Sequence, residues 1–467
     1  HPPRPWSARS DSGVPGAPSR SSERVVSFCS GAAGVDLDAE NAGSLPEDRL
    51  DDPNRPAWGF NVARGTGKEV QQFQLGAAWD RQGESVETRA ALWGLTRDVN
   101  NPIPTSIIDL GRTALGGRIA LGGSAGSLRW DAGVDLETQM DDRQNFTNEG
   151  GAEAGERTLA QDETVNALGV FAAAAWTRDI FNVHGALRYD RFGFEAEDRL
   201  VGPGNPDESG SRTMDAWNPS LGAALDLGGV KTFASVSSFL QTPTTSELAN
   251  RPDGAGGFNP DLEPTRGWTT ELGVRGSLAQ SVGWELVGFY TSLRDELVPF
   301  EVPDDPGRTY FRNVGESSHQ GLEAALRFSF DVGLTGRLAY TWVDARFESG
   351  EFDGNQIPGR APHLLDIQAE QEFGRGFVGL RTRWTGAIPV DDENTAEADG
   401  YVLVDLRAGA RGFQLGSTRV TPWVAVQNLF DEMYVSSVVV NAFGSRYYEP
   451  GPDRTFQLGI EAVFDWR

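Results

Sequence analysis

The chain contains very little cysteine. Cys29 is the one cysteine among 467 residues, which excludes an intramolecular disulfide and a cysteine-based zinc cluster. Histidine is scarce as well, and its four positions are too scattered to suggest a metal site; they are His1, His184, His319 and His363. No arrangement of nucleophile and base points to catalysis. We therefore expect no enzyme, no resident metal and no cofactor.

Positive charge is also in short supply. The sequence has 41 Lys and Arg against 67 Asp and Glu, a net charge of -26. Binding to nucleic acid requires clustered Lys and Arg that neutralise phosphates. The excess of acidic residues argues against a nucleic-acid partner and is typical of an acidic exterior or long acidic loops.

Long apolar runs are missing too. Hydrophobic residues make up 38% of the chain, and no window approaches the roughly 18 apolar residues of a membrane helix. A membrane strand needs only about 9–11 residues, of which half face lipid. The 57 glycines and 13 tryptophans fit a β-rich fold with many turns and an aromatic girdle, although a large soluble β-protein has a similar composition.

The beginning of the chain has no regular pattern. Residues 1–56 are rich in Ser, Pro, Gly and Asp, and no basic-then-apolar signal peptide follows His1. We expect an irregular, loop-like segment over 1–56, a barrel over 57–467, and a chain that is a fragment or a processed form.

Period-two alternation is the strongest signal in the rest of the sequence. In the final segment, one face is apolar throughout and the other is mainly polar, which predicts a strand with one lipid-facing side. The apolar face comprises Phe456, Leu458, Ile460, Ala462, Phe464 and Trp466. The same pattern recurs over 128–137, 271–278, 321–330, 365–373 and 401–411. Alternation is weaker around 166–176 and 284–298, where a strand is either covered on both faces or has an inner face that contacts another part of the protein.

Connections of two kinds separate these segments. Short turns such as Gly122–Gly126, Ala279–Gly283 and Phe373–Gly376 alternate with longer acidic stretches. The longer stretches are 140–156, 200–212, 249–266, 299–319, 347–362 and 387–400. Tight periplasmic turns and long extracellular loops are typical of transmembrane barrels.

Charged residues occupy the polar face of successive strands. A wide lumen, filled with water or a polar plug, tolerates them while lipid covers the apolar face. We therefore predict an all-β fold, a transmembrane antiparallel β-barrel of about 16–18 strands, with membrane lipid as one partner.

Several motifs in the C-terminal half resemble the barrel of TonB-dependent receptors. The segment GGFNPDLEPTRGWTTELGVRG (256–276) resembles an Asn-Pro-x-Leu-x-Pro loop that leads into a strand, and RNVGESSHQGLEAALRF (312–328) resembles a family hairpin. QNLFDEMY (427–434) is similar to the family's Asn-Leu-Phe-Asp-x-x-Tyr signature, and the tail from Tyr447 is similar to its closing strand. The order and spacing of these motifs are more specific than any one of them.

The resemblance implies an outer-membrane receptor of the siderophore type. Such receptors contact TonB through a plug and a short box, which we expect to lie outside this chain. Their barrels have about 22 strands. The barrel is therefore expected to be incomplete, with an unpaired first strand. Arg467 follows Trp466, where the family has a terminal aromatic.

The function that this resemblance implies is TonB-coupled uptake of a ferric siderophore or a similar metal chelate. A passive porin or a secretion-type barrel without energy coupling is the alternative, because it would share the alternation. It would lack the Asn-Pro and Asn-Leu-Phe-Asp motifs.

Candidate ligand contacts are aromatic and arginine residues of the long loops, which could bind an anionic or catecholate chelate. They are Phe258, Arg308, Tyr310, Phe311, Arg360, Arg446, Tyr447 and Tyr448. The alternative is that these side chains pack loop against loop or belong to the aromatic girdle. A second set matches the family motifs and is expected to be structural, with Asn428–Tyr434 closing a periplasmic or strand-end turn. This set comprises Asn259, Pro260, Leu262, Pro264, Glu271, Asn428, Leu429, Phe430, Asp431, Tyr434 and Arg454.

Overall fold

A computed structural model describes residues 26–50, 52 and 57–464, and within these residues nearly every element is a strand. The all-β prediction is confirmed. No helix in the described part is long and apolar enough to cross a membrane. The residues outside this description are 1–25, 51 and 53–56 of the N-terminal segment, and Asp465, Trp466 and Arg467 at the other end.

Strands follow one another with few helices between them. The first elements are β1 (Val26–Glu40), a 3-10 turn (Glu47–Arg49), α1 (Gly59–Arg64), β2 (Gly67–Gln82), β3 (Val86–Pro102), β4 (Ser106–Ala125), β5 (Leu128–Asn148), β6 (Ala154–Arg178), β7 (Phe181–Asp198), β8 (Gly210–Asp226), β9 (Val230–Gln241), α2 (Thr245–Ala249), β10 (Thr265–Leu278) and β11 (Val282–Arg294). The remaining elements are β12 (Leu297–Phe300), β13 (Tyr310–Asn313), β14 (Glu316–Phe330), β15 (Leu334–Phe347), β16 (His363–Phe373), β17 (Gly376–Thr385), β18 (Ile388–Pro389), β19 (Glu397–Ala398), β20 (Tyr401–Ala410), β21 (Phe413–Leu415), β22 (Thr418–Gln427), β23 (Val435–Val438), a 3-10 turn (Phe443–Ser445), β24 (Tyr448–Pro450) and β25 (Thr455–Phe464).

Nineteen of the strands form one antiparallel sheet in which each long strand pairs with its neighbours along the chain. The short hairpins β12–β13, β18–β19 and β23–β24 lie outside it. Of the 19 strands, β21 has only three residues, so the sheet agrees with the upper end of the predicted strand count. In the described residues, no pairing joins β1 to β25.

The apolar face of each strand points away from the lumen, as the alternation predicts. On β25, Leu458 is 85% exposed and Phe456 is 74% exposed. Each such side chain gains about 1.5–3 kcal/mol of free energy when it is removed from water. This face is therefore the one that lipid covers. On the opposite face, Arg118 on the adjacent β4 and Arg188 on β7, one strand further along the sheet, both pair with Asp135 on β5. These cross-strand pairs satisfy the charges that line the lumen.

The two ends of the sheet differ in the length of their connections. The turn end has eight connections of two or three residues: 83–85, 126–127, 179–180, 227–229, 279–281, 331–333, 374–375 and 416–417. The loop end has nine connections, and all except 103–105 are longer: 41–66, 149–153, 199–209, 242–264, 295–315, 348–362, 386–400 and 428–454. The predicted long loop at 140–156 is wrong, because β5 and β6 extend until only 149–153 remains between them.

The expectation of an irregular segment over 1–56 is wrong for Val26–Glu40. These residues form β1, which pairs with β2 in continuous register from Val26 opposite Arg81 to Glu40 opposite Gly67. Every residue of β1 is exposed. The strand is hard to recognise in the sequence because the small residues of 30–34 interrupt the alternation, which resumes only over 35–40.

The buried residues gather at the loop end rather than in the middle of the sheet. Three of the apolar clusters there join a loop to a strand or to another loop. Their buried members are Phe194, Met214, Leu248 and Leu262; Val298, Ala345, Phe347 and Ile357; and Val390, Ala398, Val435 and Tyr448. The loops are therefore packed elements that cover the end of the sheet.

Candidate functional site

The connection 242–264 folds back against the inner wall of the sheet. Thr244 caps α2 through its hydroxyl, which accepts from the backbone N–H of Glu247, and the Glu247 carboxylate accepts from the backbone N–H of Thr244. This reciprocal capping fixes the start of a five-residue helix that would be marginal alone. Leu248 is fully buried beside Phe194 and Met214. The helix is thus attached to the wall by its apolar side.

A buried ion pair lies on the wall beneath the same connection. The side chains of Arg143 on β5 and Glu163 on β6 are 3% and 0% exposed, and the two groups are hydrogen-bonded. Arg143 also donates to the Ser246 hydroxyl at 3.0 Å, and the Gln161 side chain accepts from the backbone N–H of Gly257 at 2.9 Å. These polar side chains of the wall therefore contact both α2 and the second half of the connection 242–264.

A second ion pair holds the start of α2. Arg112 on β4 makes a two-pronged contact with Asp141 on β5, at 2.8 and 2.7 Å. The Thr245 hydroxyl donates to the same carboxylate at 3.2 Å. Together, the two pairs form what we call the wall clasp: Arg112, Asp141, Arg143 and Glu163.

The Asn-Pro motif forms the turn that ends this connection. The Asn259 side chain accepts from the backbone N–H of Asp261 at 3.0 Å, and Arg212 donates to the carbonyl oxygens of Asn259 and Pro260. Leu262 and Pro264 are buried. Further along, Glu271 accepts from the Ser235 hydroxyl on β9. These contacts orient the chain as it enters β10.

The connection 295–315 crosses the mouth through the β12–β13 hairpin. Tyr310 is buried and donates its hydroxyl hydrogen to Asp305 at 2.6 Å. Burial, and then this hydrogen bond, raise the pKa of Tyr310. Arg308 lies over the Tyr310 ring and donates to Asn250 at 3.0 Å. At the tip, Asp305 accepts from Thr105 on the far side of the mouth.

Arg360 takes part in an ion-pair group between two connections. It is 3.3 Å from Glu296, which also contacts His319 at 3.1 Å and accepts from Ser317 at 2.6 Å. Burial acts to raise the pKa of Glu296, but the contacts with His319 and Ser317 and the charge of Arg360 outweigh it, so that the pKa lies below its ordinary value. The carboxylate therefore holds 348–362 to 295–315 in its charged form.

The connection 428–454 is linked to the first connection of the loop end. Tyr448 and Leu45 exchange two backbone hydrogen bonds of 2.8 and 3.1 Å. Arg446 is buried against the Trp58 ring and is 3.3 Å from Glu301. Burial lowers the pKa of Arg446, and Glu301 opposes that shift. We call this group the strap: Leu45, Trp58, Arg446 and Tyr448.

The Asn-Leu-Phe-Asp motif forms a tight turn directly after β22. Asn428 has a positive φ of 50°, and its side chain both accepts from the backbone N–H of Glu432 and donates to the carbonyl oxygen of the same residue. Asp431 pairs with Arg454 at 3.3 Å, and the Tyr434 ring packs on Tyr401. Phe430 is exposed, while the carbonyl oxygen of Leu429 accepts from Arg454. The turn is at a strand end on the loop side, which is one of the two predicted places; the other, a periplasmic turn, does not fit.

The predicted ligand contacts do not converge on one point. Phe258 and Phe311 pack against the cluster of Leu248, while Tyr447 and Tyr448 belong to the cluster of Val390. Arg308 and Tyr310 are neighbours, whereas Arg360 lies with Glu296. Each of these side chains has a contact with another loop or with the wall. The wall clasp was not predicted, although opposite charges on the inner faces of successive strands were a signal for it.

The family described as TonB dependent receptor-like, beta-barrel matches residues 15–429. The chain belongs to this family. Its lipid-facing strands and its family place it in the outer membrane as a receptor-type barrel.

Curated relatives share about a quarter of their aligned residues with this receptor barrel. The ferrioxamine B receptor of Salmonella typhimurium is 27% identical over 303 residues, which is 62% of this chain and 39% of the relative. The iron-regulated outer membrane virulence protein of Vibrio cholerae is 24% identical over 220 residues, 44% of this chain and 32% of the relative. The barrel therefore matches well under half the length of these relatives.

Solved structures agree with the fold. The ferric citrate transporter in its unliganded form superposes with a TM-score of 0.75 at 15% identity, over 94% of this chain and 68% of that one. The ferric yersiniabactin uptake receptor from Yersinia pestis gives a TM-score of 0.71 at 15% identity, with the same coverage. At these identities, the likeness concerns the fold of the receptor barrel.

Proposed function

We propose that the protein to which this barrel belongs takes up a ferric siderophore or a similar metal chelate across the outer membrane, with energy supplied through TonB. The match to the TonB-dependent receptor family over 15–429 is the observation that carries the proposal. The name of the Salmonella relative, a ferrioxamine B receptor, supports a chelated iron as the cargo.

The packed loop end supports a receptor over a passive porin. A porin conducts through an open aqueous lumen. Here, the connection 242–264 is attached to the inner wall by the wall clasp, and 295–315 crosses the mouth to Thr105. Such loops narrow the entrance and offer side chains for recognition, among which we retain Arg308 and Tyr310 as candidate contacts. No catalytic role is proposed.

Deletion of the gene that encodes this chain tests the proposal. Uptake of ⁵⁵Fe in a panel of ferric chelates is measured in iron-limited cells, with and without TonB. We expect one or a few chelates to lose uptake equally in the gene deletion and in the TonB deletion. If uptake depended on the gene but not on TonB, the passive-porin alternative would replace the proposal.

A further inference from the structure

A cavity lies inside the loop end, between the inner wall and the two connections that cross the mouth. It has a volume of about 460 Å³, which is within the usual range of small-molecule sites. The upper ends of β4–β6 form one side, and the connections 242–264 and 295–315 form the other.

Three buried polar atoms of this cavity have no partner among the described residues. They are the Oδ1 atom of Asn145, the hydroxyl of Ser106 and the Nε of Arg308. Asn145 is 3% exposed and Ser106 is 6% exposed, so neither is a surface residue that bulk water would satisfy. The large majority of buried side-chain polar atoms in proteins have a hydrogen-bond partner. Three unpaired atoms on one cavity therefore point to a bound molecule that both donates and accepts hydrogen bonds.

Charge around the cavity indicates which kind of molecule. The nine connections of the loop end hold 29 Asp and Glu against 10 Arg and no Lys, a net charge of -19 out of the chain's -26. The eight turns at the other end hold three acidic residues and one Arg. The arginines on the cavity already have anionic partners, since Arg251 pairs with Asp253 and Arg308 with Asp305. Asp304, which also lines the cavity, is exposed, and no cation of the described residues pairs with it.

We propose that this cavity is a recognition site for a ferric chelate without net negative charge, of the hydroxamate type and preferably with a free ammonium group. The inference rests on the proposed function and refines it. Hydroxamate oxygens would accept from Arg308 Nε and the Ser106 hydroxyl, and an N–H of the ligand would donate to Asn145 Oδ1. The ammonium group would lie near Asp304. A triscatecholate complex carries three negative charges, which the loop end would repel.

Equilibrium binding to the purified chain in detergent micelles tests this assignment. The probes are a ferric trihydroxamate with a free primary amine, its N-acetylated form, and a ferric triscatecholate. We expect the amine form to bind about five-fold more tightly than the acetylated form at low salt, as for an exposed ion pair. The difference should vanish at high salt, and the triscatecholate should bind most weakly.

Two variants with matched controls locate the effect. Asp304→Lys should abolish the preference for the amine form, whereas Asp207→Lys, which makes the same change in another exposed loop of the same end, should retain most of it. Asn145→Leu should weaken both hydroxamates about ten-fold. Asn61→Leu should not, although Asn61 also has a buried and unpaired Oδ1 outside the cavity.

Failure of this inference can be told apart from failure of the proposed function. Tighter binding of the triscatecholate, equal binding of the two hydroxamates, or no binding of any probe overturns the cavity assignment. TonB-dependent uptake of an anionic chelate alone keeps the proposed function and overturns the assignment. If deletion of the gene leaves the uptake of every chelate unchanged, the proposed function itself is contradicted.

Discussion

The guanidinium carbon of Arg446 lies 3.6 Å from the centre of the Trp58 ring, and this contact joins the last connection of the loop end to the first. Arg446→Gln removes the cation–π contact and the pairing with Glu301, so the connection should open more often. We expect the free energy of local opening to fall by about 1–2 kcal/mol. Faster amide hydrogen exchange over 57–66 would report it.

A matched control for Arg446→Gln exists in the same connection. Arg454→Gln removes a cation that is 40% exposed and pairs with Asp431. Exposed pairs contribute little, and this one does not touch 41–66, so exchange over 57–66 should stay unchanged. Equal acceleration in both variants would show that Arg446 acts only through general charge.

The wall clasp should hold the connection 242–264 in place. Arg143→Met leaves the Glu163 carboxylate buried without its partner, which costs about 3–5 kcal/mol. Chymotrypsin cleavage after Phe258 should become faster because the connection detaches from the wall. The double variant Arg143→Met/Glu163→Leu removes both charges and should recover much of the protection. A double variant as sensitive as the single one would contradict this account.

The ion-pair group at Glu296 predicts a dependence on pH. The pKa of Glu296 is lowered in the folded chain from its ordinary value of 4.5, so its contribution is complete above that value and is lost as the pH falls through the folded pKa. Hydrogen exchange over 348–362, corrected for the intrinsic rate, should therefore accelerate below about pH 4.5. Glu296→Gln should show the faster exchange already at neutral pH and no further change in acid.

The turn of the Asn-Leu-Phe-Asp motif predicts a graded series at Asn428. Alanine loses the side-chain hydrogen bonds with Glu432 and Pro452 and keeps a Cβ atom at positive φ without the local polar contacts that make this conformation tolerable for Asn, which together costs about 2–4 kcal/mol. Glycine loses the same bonds but tolerates the backbone, so its cost should be about 1 kcal/mol smaller. Urea unfolding followed by gel mobility measures both. Identical midpoints for the two variants would mean that backbone strain has no part in the preference for Asn.

The wall of the barrel could be predicted from sequence because alternation is a local property. Phe456, Leu458 and Ile460 were assigned to the lipid face from spacing alone, and all three are highly exposed on that face. β1 was missed because its alternation is short: Val35, Leu37 and Ala39 alternate with acidic residues, but the small residues before them break the pattern. Six residues of alternation are too few to distinguish a strand from an acidic loop.

The loop end could be predicted only in part. Motif matching placed Asn428 and Asn259 in turns, because those turns depend on hydrogen bonds within a few residues. The contacts of Arg143 with Ser246 and of Tyr448 with Leu45 join distant parts of the chain. No spacing rule relates such partners, so neither the wall clasp nor the cavity could be inferred without the structure.

The strap also constrains the order in which contacts can form as this chain folds. Leu45 and Tyr448 are about 400 residues apart, whereas most contacts of the sheet join neighbouring hairpins. Hairpins can therefore be added in sequence, but the cover over the first hairpin must wait for nearly the whole chain to be present. Protection of residues 57–66 in a refolding time course should appear after the strands have paired, which makes the strap a reporter of finished assembly.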